Sequence, residues 1–286
     1  MPAFKLPKFD RHTYVAINND VVPDAELALA NSNPIMMARD CVDGIKMVHK
    51  FGASTVIPTT LSPVTTSLTY PTPTVPTALE IVSDSTDDNG TTSPLGSGAL
   101  SVDVHGLTDW NGTQVIETVT LNGTTPVALT NSFLRVYRMK IAGSGSYANS
   151  VTPSHSSVIT LQEVGGAITW GVITNAGGFG LGQSEIACFS VPAGQTAFMT
   201  HADVLVGTSK TVDVIFYYRG NTDVVTAPFA PMQSKIVMRN LQIGAQVNPV
   251  TPYGAFRGPC DIGWMASSSV GTSSVEIDFE VILIND

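Results

Sequence analysis

Charged side chains are scarce in this sequence: Asp, Glu, Lys and Arg make up 13% of its 286 residues, about half the roughly 25% usual in soluble domains. Cations are the scarcer sign, 14 against 23 acids, for a net charge of -9. That balance disfavours a protein that holds nucleic acid by neutralising phosphates. Long hydrophobic runs are missing too; no stretch reaches the ~18 apolar residues of a membrane-spanning helix. The opening MPAFKLPKFDRHTY lacks a cationic region followed by an apolar one, so no secretory signal is expected. Cysteine is nearly absent. Cys41, Cys188 and Cys260 are odd in number, far apart and without C-x-x-C spacing, which argues against a disulfide framework or a thiolate metal site and predicts three buried free thiols. Wholesale disorder does not fit, because 43% of the residues are hydrophobic and the net charge is modest for the length.

What the sequence has instead is small hydroxyl residues and breakers: 32 Thr, 25 Ser, 25 Gly and 18 Pro, a composition of turns and β-favouring positions. The few charges are unevenly placed. Residues 1–50 hold six cations (Lys5, Lys8, Arg11, Arg39, Lys46, Lys50) and six acids, whereas from Phe51 to Leu134 seven acids occur with no Lys or Arg. Inside that stretch, residues 54–77 carry Pro58, Pro63, Pro71, Pro73 and Pro76 among many Thr. Each proline removes a backbone donor and drives the residue before it out of helical space, so the segment reads as an extended arm or linker. Upstream, Pro23–Ala30 is a short helix candidate, and Asn33-Pro34 leading into Ile35–Lys50 is a second. Asn33 suits an N-cap, Pro34 suits the first helical position, and Met37, Cys41, Ile45 and Val48 fall at helical spacing. Three parts are therefore expected: an N-terminal attachment segment with short helices over 1–53, a Pro/Thr-rich arm over 54–77, and a β-domain over 78–286.

From Ala78 onward the hydrophobic period is two. Ala78–Val82, Ala99–Val104, Val115–Leu121, Phe133–Ile141, Val158–Leu161, Ala167–Ile173, Ile186–Val191, Ala197–Val206, Thr211–Tyr218, Lys235–Ile243, Ile262–Ala266 and Val275–Ile284 read as strands. Asn122-Gly123 after Val115–Leu121 is a strong hairpin signal towards Pro126–Leu129. Phe133–Ile141 sets Phe133, Arg135, Tyr137, Met139 and Ile141 on one face. No 10–15-residue helix intervenes between these strands, so the expected fold is all-β: an antiparallel, jelly-roll-like β-sandwich behind an extended arm.

No constellation of catalytic residues emerges. His12, His49, His105, His155 and His201 are nowhere paired at metal-ligand spacing. Ser85, Asp87, Asn89 and Gly90 match four positions of a calcium-binding loop, but the twelfth position is Gly96, and a solvated acidic loop is the simpler reading. Gly143-Ser144-Gly145-Ser146 lacks the frame of a nucleophile elbow, and Gly177–Gly182 follows a strand without opening a helix, unlike a phosphate-cradling loop. Glu117, Glu163 and Glu185 offer carboxylates with nothing to pair them for glycoside hydrolysis. The Asn-Gly-Thr sequons at Asn89, Asn111 and Asn122 read as turns. Trp110, Trp170 and Trp264 could stack on sugars or pack a core. Arg135, Arg138 and Lys140 form a small basic face, which the acids of the last strand in another copy would complement. No cofactor, metal or catalytic residue is expected.

The stretch Leu107-Thr-Asp-Trp-Asn-Gly-Thr-Gln-Val-Ile-Glu-Thr-Val-Thr-Leu-Asn-Gly-Thr124, then Phe133-Leu-Arg-Val-Tyr-Arg138, with the closing Val275–Ile284, resembles uncharacterised virion structural proteins of tailed bacteriophages, notably marine ones. The resemblance covers residues 78–165 and the last 50. It implies a non-enzymatic, capsid-associated particle component located in the virion, of decoration, cement or minor head type. An extended arm needs a partner surface to order it, so other virion proteins are the expected partners. Repeated placement on a particle suggests a homo-oligomer such as a trimer, and the acidic balance and short apolar runs imply no direct nucleic-acid or membrane contact. A head–tail or fibre-base component, or a glycan-binding host-recognition module, is the alternative.

Overall fold

The computed structural model describes residues 44–112, 114–146, 154–174, 182–207, 210–247, 253–269 and 273–286. Regular structure among them is entirely β, and every strand pairing is antiparallel. The strands form four sheets that close in pairs. In the first pair, one sheet orders β1 (Ile45–Ile57), β17 (Ser273–Asn285), β11 (Gln195–Val206) and β14 (Gly244–Val247), with β15 (Tyr253–Arg257) also on β11. Its partner sheet orders β10 (Cys188–Val191), β16 (Cys260–Ser268), β12 (Val212–Gly220) and β13 (Gln233–Leu241), with β2 (Ser62–Pro63) also on β16. The second pair is inserted between β2 and β10. It comprises β6 (Val127–Phe133), β3 (Thr77–Ser83), β8 (Ile159–Glu163) and β9 (Thr169–Ile173) in one sheet, and β5 (Gln114–Thr120), β4 (Ala99–Leu107) and β7 (Arg135–Ser144) in the other.

Alternation explains the cores. Along β17, Val275, Ile277, Phe279 and Val281 are buried and face Phe189, Phe216 and Trp264 of the opposite sheet, while Glu276, Asp278 and Glu280 take the other side. The inserted unit buries a separate set, among them Leu79, Val104, Phe133, Met139, Leu161 and Trp170. Burying each large side chain of this kind contributes about 1.5–3 kcal/mol. The single jelly-roll-like sandwich expected over 78–286 is thus corrected to four sheets around two cores. The all-β, antiparallel part of that expectation is what the structure contains.

The helical expectation is corrected where it can be seen. Pro23–Ala30 and residues 35–43 lie outside the described residues, but Ile45–Lys50 belongs to β1. It pairs residue by residue with β17, from Ile45 opposite Ile284 to Ser54 opposite Val275. Gly44 has φ 79°, a left-handed backbone that stops a right-handed helix at the strand's threshold. The helical spacing of Ile45 and Val48 is a coincidence in a segment whose partner strand decides its form. β1 also runs across the boundary expected at 53/54. Residues 58–76 are inlaid on the protein's own sheets, with Val64 buried and its N–H donating to the Trp264 carbonyl at 2.9 Å. Pro63 sits in a two-residue edge strand, where its missing donor costs no ladder bond.

Two strand readings change as well. β5 and β6 do not pair with each other: β5 joins β4 and β6 joins β3, so Asn122-Gly123 arches between two sheets instead of closing a hairpin. Phe133–Ile141 divides at Leu134, and β7 then carries a bulge, because His105 faces Arg138 while Gly106 faces Val136. The extra residue is Tyr137. It lets Val136 and Met139 both face the inserted core and turns Arg135 and Tyr137 towards the first unit.

Candidate functional site: the buried junction between the two units

The bulge in β7 delivers polar side chains to the outer face of the β10–β16–β12 sheet, and a buried network forms there. Arg135 and Asp261, each 1% exposed, pair through two bonds: Nε and Nη2 donate to the two carboxylate oxygens at 2.9 Å. A fork of that geometry is the strong form of a guanidinium–carboxylate contact. Arg135 Nη1 donates to the carbonyls of Pro73 at 3.1 Å and Leu134 at 2.7 Å, and the guanidinium lies 5.2 Å from the Trp110 ring centre. Ser190 donates to Asp261 at 2.5 Å and exchanges a 2.8 Å bond with the Tyr70 hydroxyl. Tyr217 donates to the Cys188 thiol at 3.6 Å. Lys50 on β1 is buried, donates to the Tyr137 carbonyl and lies 5.6 Å from that ring.

Burial sets the protonation of these groups. It would lower the Arg135 pKa, but the Asp261 carboxylate outweighs it and holds the guanidinium above its ordinary value. Lys50 has no such neighbour: burial, reinforced by Arg138, pulls its amine well below the usual lysine range. Burial pushes the Cys188 thiol up to about 12 and raises Cys260, Tyr70 and Tyr217 as well. A thiol this far from ionising is a packing group, not a nucleophile. The network joins five strands of two units, β1, β7, β10, β12 and β16, and its core is sealed from solvent, which is the geometry of a clamp.

The remaining candidates fall apart as a constellation. Of the basic face, Arg135 is buried on Asp261, Arg138 donates to the His49 carbonyl, and Lys140 pairs with Asp103 at 3.6 Å. The expectation of one exposed basic face is therefore corrected. Trp170 and Trp264 are core residues, and Trp110 is covered on one face by Arg135. His49 pairs with Asp278 at 2.6 Å and His201 with Asp203 at 2.9 Å, whereas His155 is buried against the Thr174 carbonyl and His105 sits in β4 with its pKa lowered by burial and by Arg138. His12 and Cys41 lie outside the described residues, as do residues 177–181. Glu117 accepts from Thr130 and Asn131, Glu185 accepts from Thr66 at 2.9 Å, and Glu163 lines an open groove of about 390 Å³ with Tyr70, Pro71, Pro73 and Ile168. Ser144 donates to the Ser154 carbonyl at 2.6 Å.

The acidic loop is organised by Asp88, a residue outside the calcium-like pattern. Buried, it accepts from Ser83 Oγ at 2.6 Å and from the N–H groups of Ala99, Ser156 and Ser157 at 2.7, 2.8 and 3.1 Å. Ser85 Oγ accepts from the Asp87 N–H and Asn89 Oδ1 from the Thr91 N–H. Asn89 also bridges to Asn122. Among the described residues no group of three or more His, Cys, Asp or Glu is placed to hold a metal ion.

No protein-family model matches the sequence, and no curated protein matches it. Among solved structures, the crystal structure of the STIV MCP, a viral major capsid protein, is a weak neighbour. Its TM-score is 0.21 at 10% identity, over 82% of this chain and 96% of that one. The structure of infectious bursal disease virus Gx strain gives 0.12 at 11% identity, over 93% of this chain and 85% of that one. Scores this low do not establish a shared fold.

Proposed function

We propose that this protein is a non-enzymatic structural subunit of a tailed-phage virion, capsid-associated as a decoration, cement or minor head protein. Its N-terminal residues attach it to neighbouring virion proteins. The observation that carries this reading is the division of chemistry in the molecule. The most deeply buried ionisable groups, Arg135, Asp261, Lys50, Tyr70 and Tyr217, are sealed at the junction, while Val224, Val225, Phe229, Met232, Val237 and Ile243 are exposed in one region of the sequence. Exposed apolar side chains in a chain of sparse charge suit a surface that other subunits cover, since few charges need be desolvated. The sequence resemblance points to the same class. The glycan-binding alternative loses two of its three tryptophans to the cores, and no observation favours a head–tail or fibre-base position over the capsid.

Deletion of residues 1–43 leaves β1 intact and tests the reading. The shortened chain is expected to fold and stay soluble but to be missing from particles assembled in its presence. Incorporation at the wild-type level would overturn the proposed attachment.

A further inference from the structure

Two faces of the first unit differ in sign. β13 (Gln233–Leu241) holds two cations, Lys235 and Arg239, and no acid, in a chain of net charge -9. β13 is the last strand of its sheet and carries exposed Lys235 and Arg239 on either side of Val237, itself 47% exposed; the Lys235 ammonium lies 5.2 Å from the Tyr218 ring and donates to Gln233 at 3.0 Å. Ile215 lies directly between Val237 and Met265 in the strand register, which makes an apolar row across the outer face. Phe229 and Met232, in the connection leading into β13, are exposed beside it. The opposite outer face of the same unit is acidic. Glu276, Asp278 and Glu280 alternate along β17 against the buried Ile277 and Phe279. Asp203 lies directly opposite Asp278, and these two aspartates are paired with His201 and His49 on the same face, which leaves Glu276 and Glu280 as the carboxylates offered to a second copy. Leu205, 57% exposed, is the cross-strand neighbour of Glu276 and supplies an apolar contact there.

We propose that the β13 edge of one copy docks head to tail on the acidic outer face of β17 and β11 in a second copy. The two faces belong to different sheets with a core between them, so one molecule cannot satisfy its own complementarity. β13 is bulged on both sides of Val237, at Lys235 and near Arg239–Asn240, so it offers no regular edge for a symmetric β13–β13 ladder. Such a pairing would also bring Lys235 towards Arg239 of the other copy, like charges that destabilise. The contact is therefore heterologous, the kind that closes into a ring when the rotation permits. This inference concerns copies of the chain alone and does not depend on the virion reading.

Sedimentation of the purified full-length protein at high micromolar concentration tests it. Wild-type protein is expected to self-associate at low salt and to dissociate towards 1 M salt, where the Debye length falls to about 3 Å. Lys235→Glu with Arg239→Glu, and separately Glu276→Lys with Glu280→Lys, should each raise the dissociation constant about tenfold or more. The variant carrying all four reversals should recover association. A monomeric wild type, reversals without effect, or a folded fourfold variant that stays monomeric would each overturn the proposal. Particle incorporation, scored on the same variants, reports on the virion role independently.

Discussion

Asp261→Ala is the perturbation that most directly tests the clamp. The carboxylate takes two bonds from Arg135 at 2.9 Å and one from Ser190 at 2.5 Å, and both charged partners are 1% exposed. Its removal leaves a guanidinium with two unmatched N–H groups in a place water does not reach. Stripping one partner from a buried pair costs about 3–5 kcal/mol, whereas replacing both with apolar groups is close to neutral or stabilising. The Ser190–Tyr70 arm adds about 1 kcal/mol, not strictly additive because the arm shares the carboxylate. A loss of about 4 kcal/mol is therefore expected for Asp261→Ala, and much less for Arg135→Met combined with Asp261→Leu. In urea, with an m-value of about 3 kcal/mol/M, the single variant's midpoint should fall by roughly 1 M. Tryptophan fluorescence and far-UV circular dichroism should then separate into two transitions, because Trp170 and Trp264 report on different cores. A single-variant loss under about 1 kcal/mol, or a double variant no better than the single, would refute the claim that the pair holds the junction.

The other predictions follow from the same groups. Lys50 has a folded pKa below the unfolded value, so the unfolded chain binds more protons between the two and wild-type stability should rise with pH through that window, up to about 10.4. Lys50→Met should flatten the rise, and an unchanged slope would show that another group produces it. Cys188 and Cys260 are buried free thiols; mass spectrometry after native treatment with a thiol reagent at pH 8 should find both unmodified, and both labelled after denaturation. Burial tends to raise the Glu117 pKa, but the donors from Thr130 and Asn131 outweigh it and hold the carboxyl below its ordinary range. Its contribution should be complete above the unfolded pKa and vanish as pH falls through the folded one; Glu117→Gln should cost about 1 kcal/mol after discounting for solvent exposure, and identical acid titrations of the two proteins would contradict this.

How much was legible depended on whether a strand serves one body or two. Val275–Val281 alternates without interruption because one side meets a core and the other meets water, so its register could be read directly. β1 could not. Its buried Lys50 occupies an inward position, opposite Phe279, and breaks the apolar alternation that would have announced a strand. β14 and β15 were missed because Gly244–Val247 and Tyr253–Arg257 are short edge pieces with little burial of their own. The arch at Asn122-Gly123 carries the same residues as a hairpin turn, and only the choice of partner distinguishes them. At the candidate site, Arg135 was singled out but assigned to the surface, since nothing in the sequence places Asp261 beside a residue 126 positions away.

The long gap in cations also takes on a different meaning. Across the inserted unit, from Thr77 to Ile173, the only Lys or Arg residues are Arg135, Arg138 and Lys140, and all three lie on β7. Two of them are committed to the first unit, Arg135 through Asp261 and Arg138 through the His49 carbonyl. The inserted unit therefore places its cations on the strand that joins it to its neighbour, and the bulge at Tyr137 aims the deepest of them. Elsewhere it manages free backbone donors with acids: Glu117 on the edge strand β5 accepts from the N–H groups of Thr130 and Asn131 on the edge strand β6. That contact ties together two strands that share no ladder. At the buried junction a cation is tolerable only with a matched carboxylate, which Asp261 supplies to Arg135 alone.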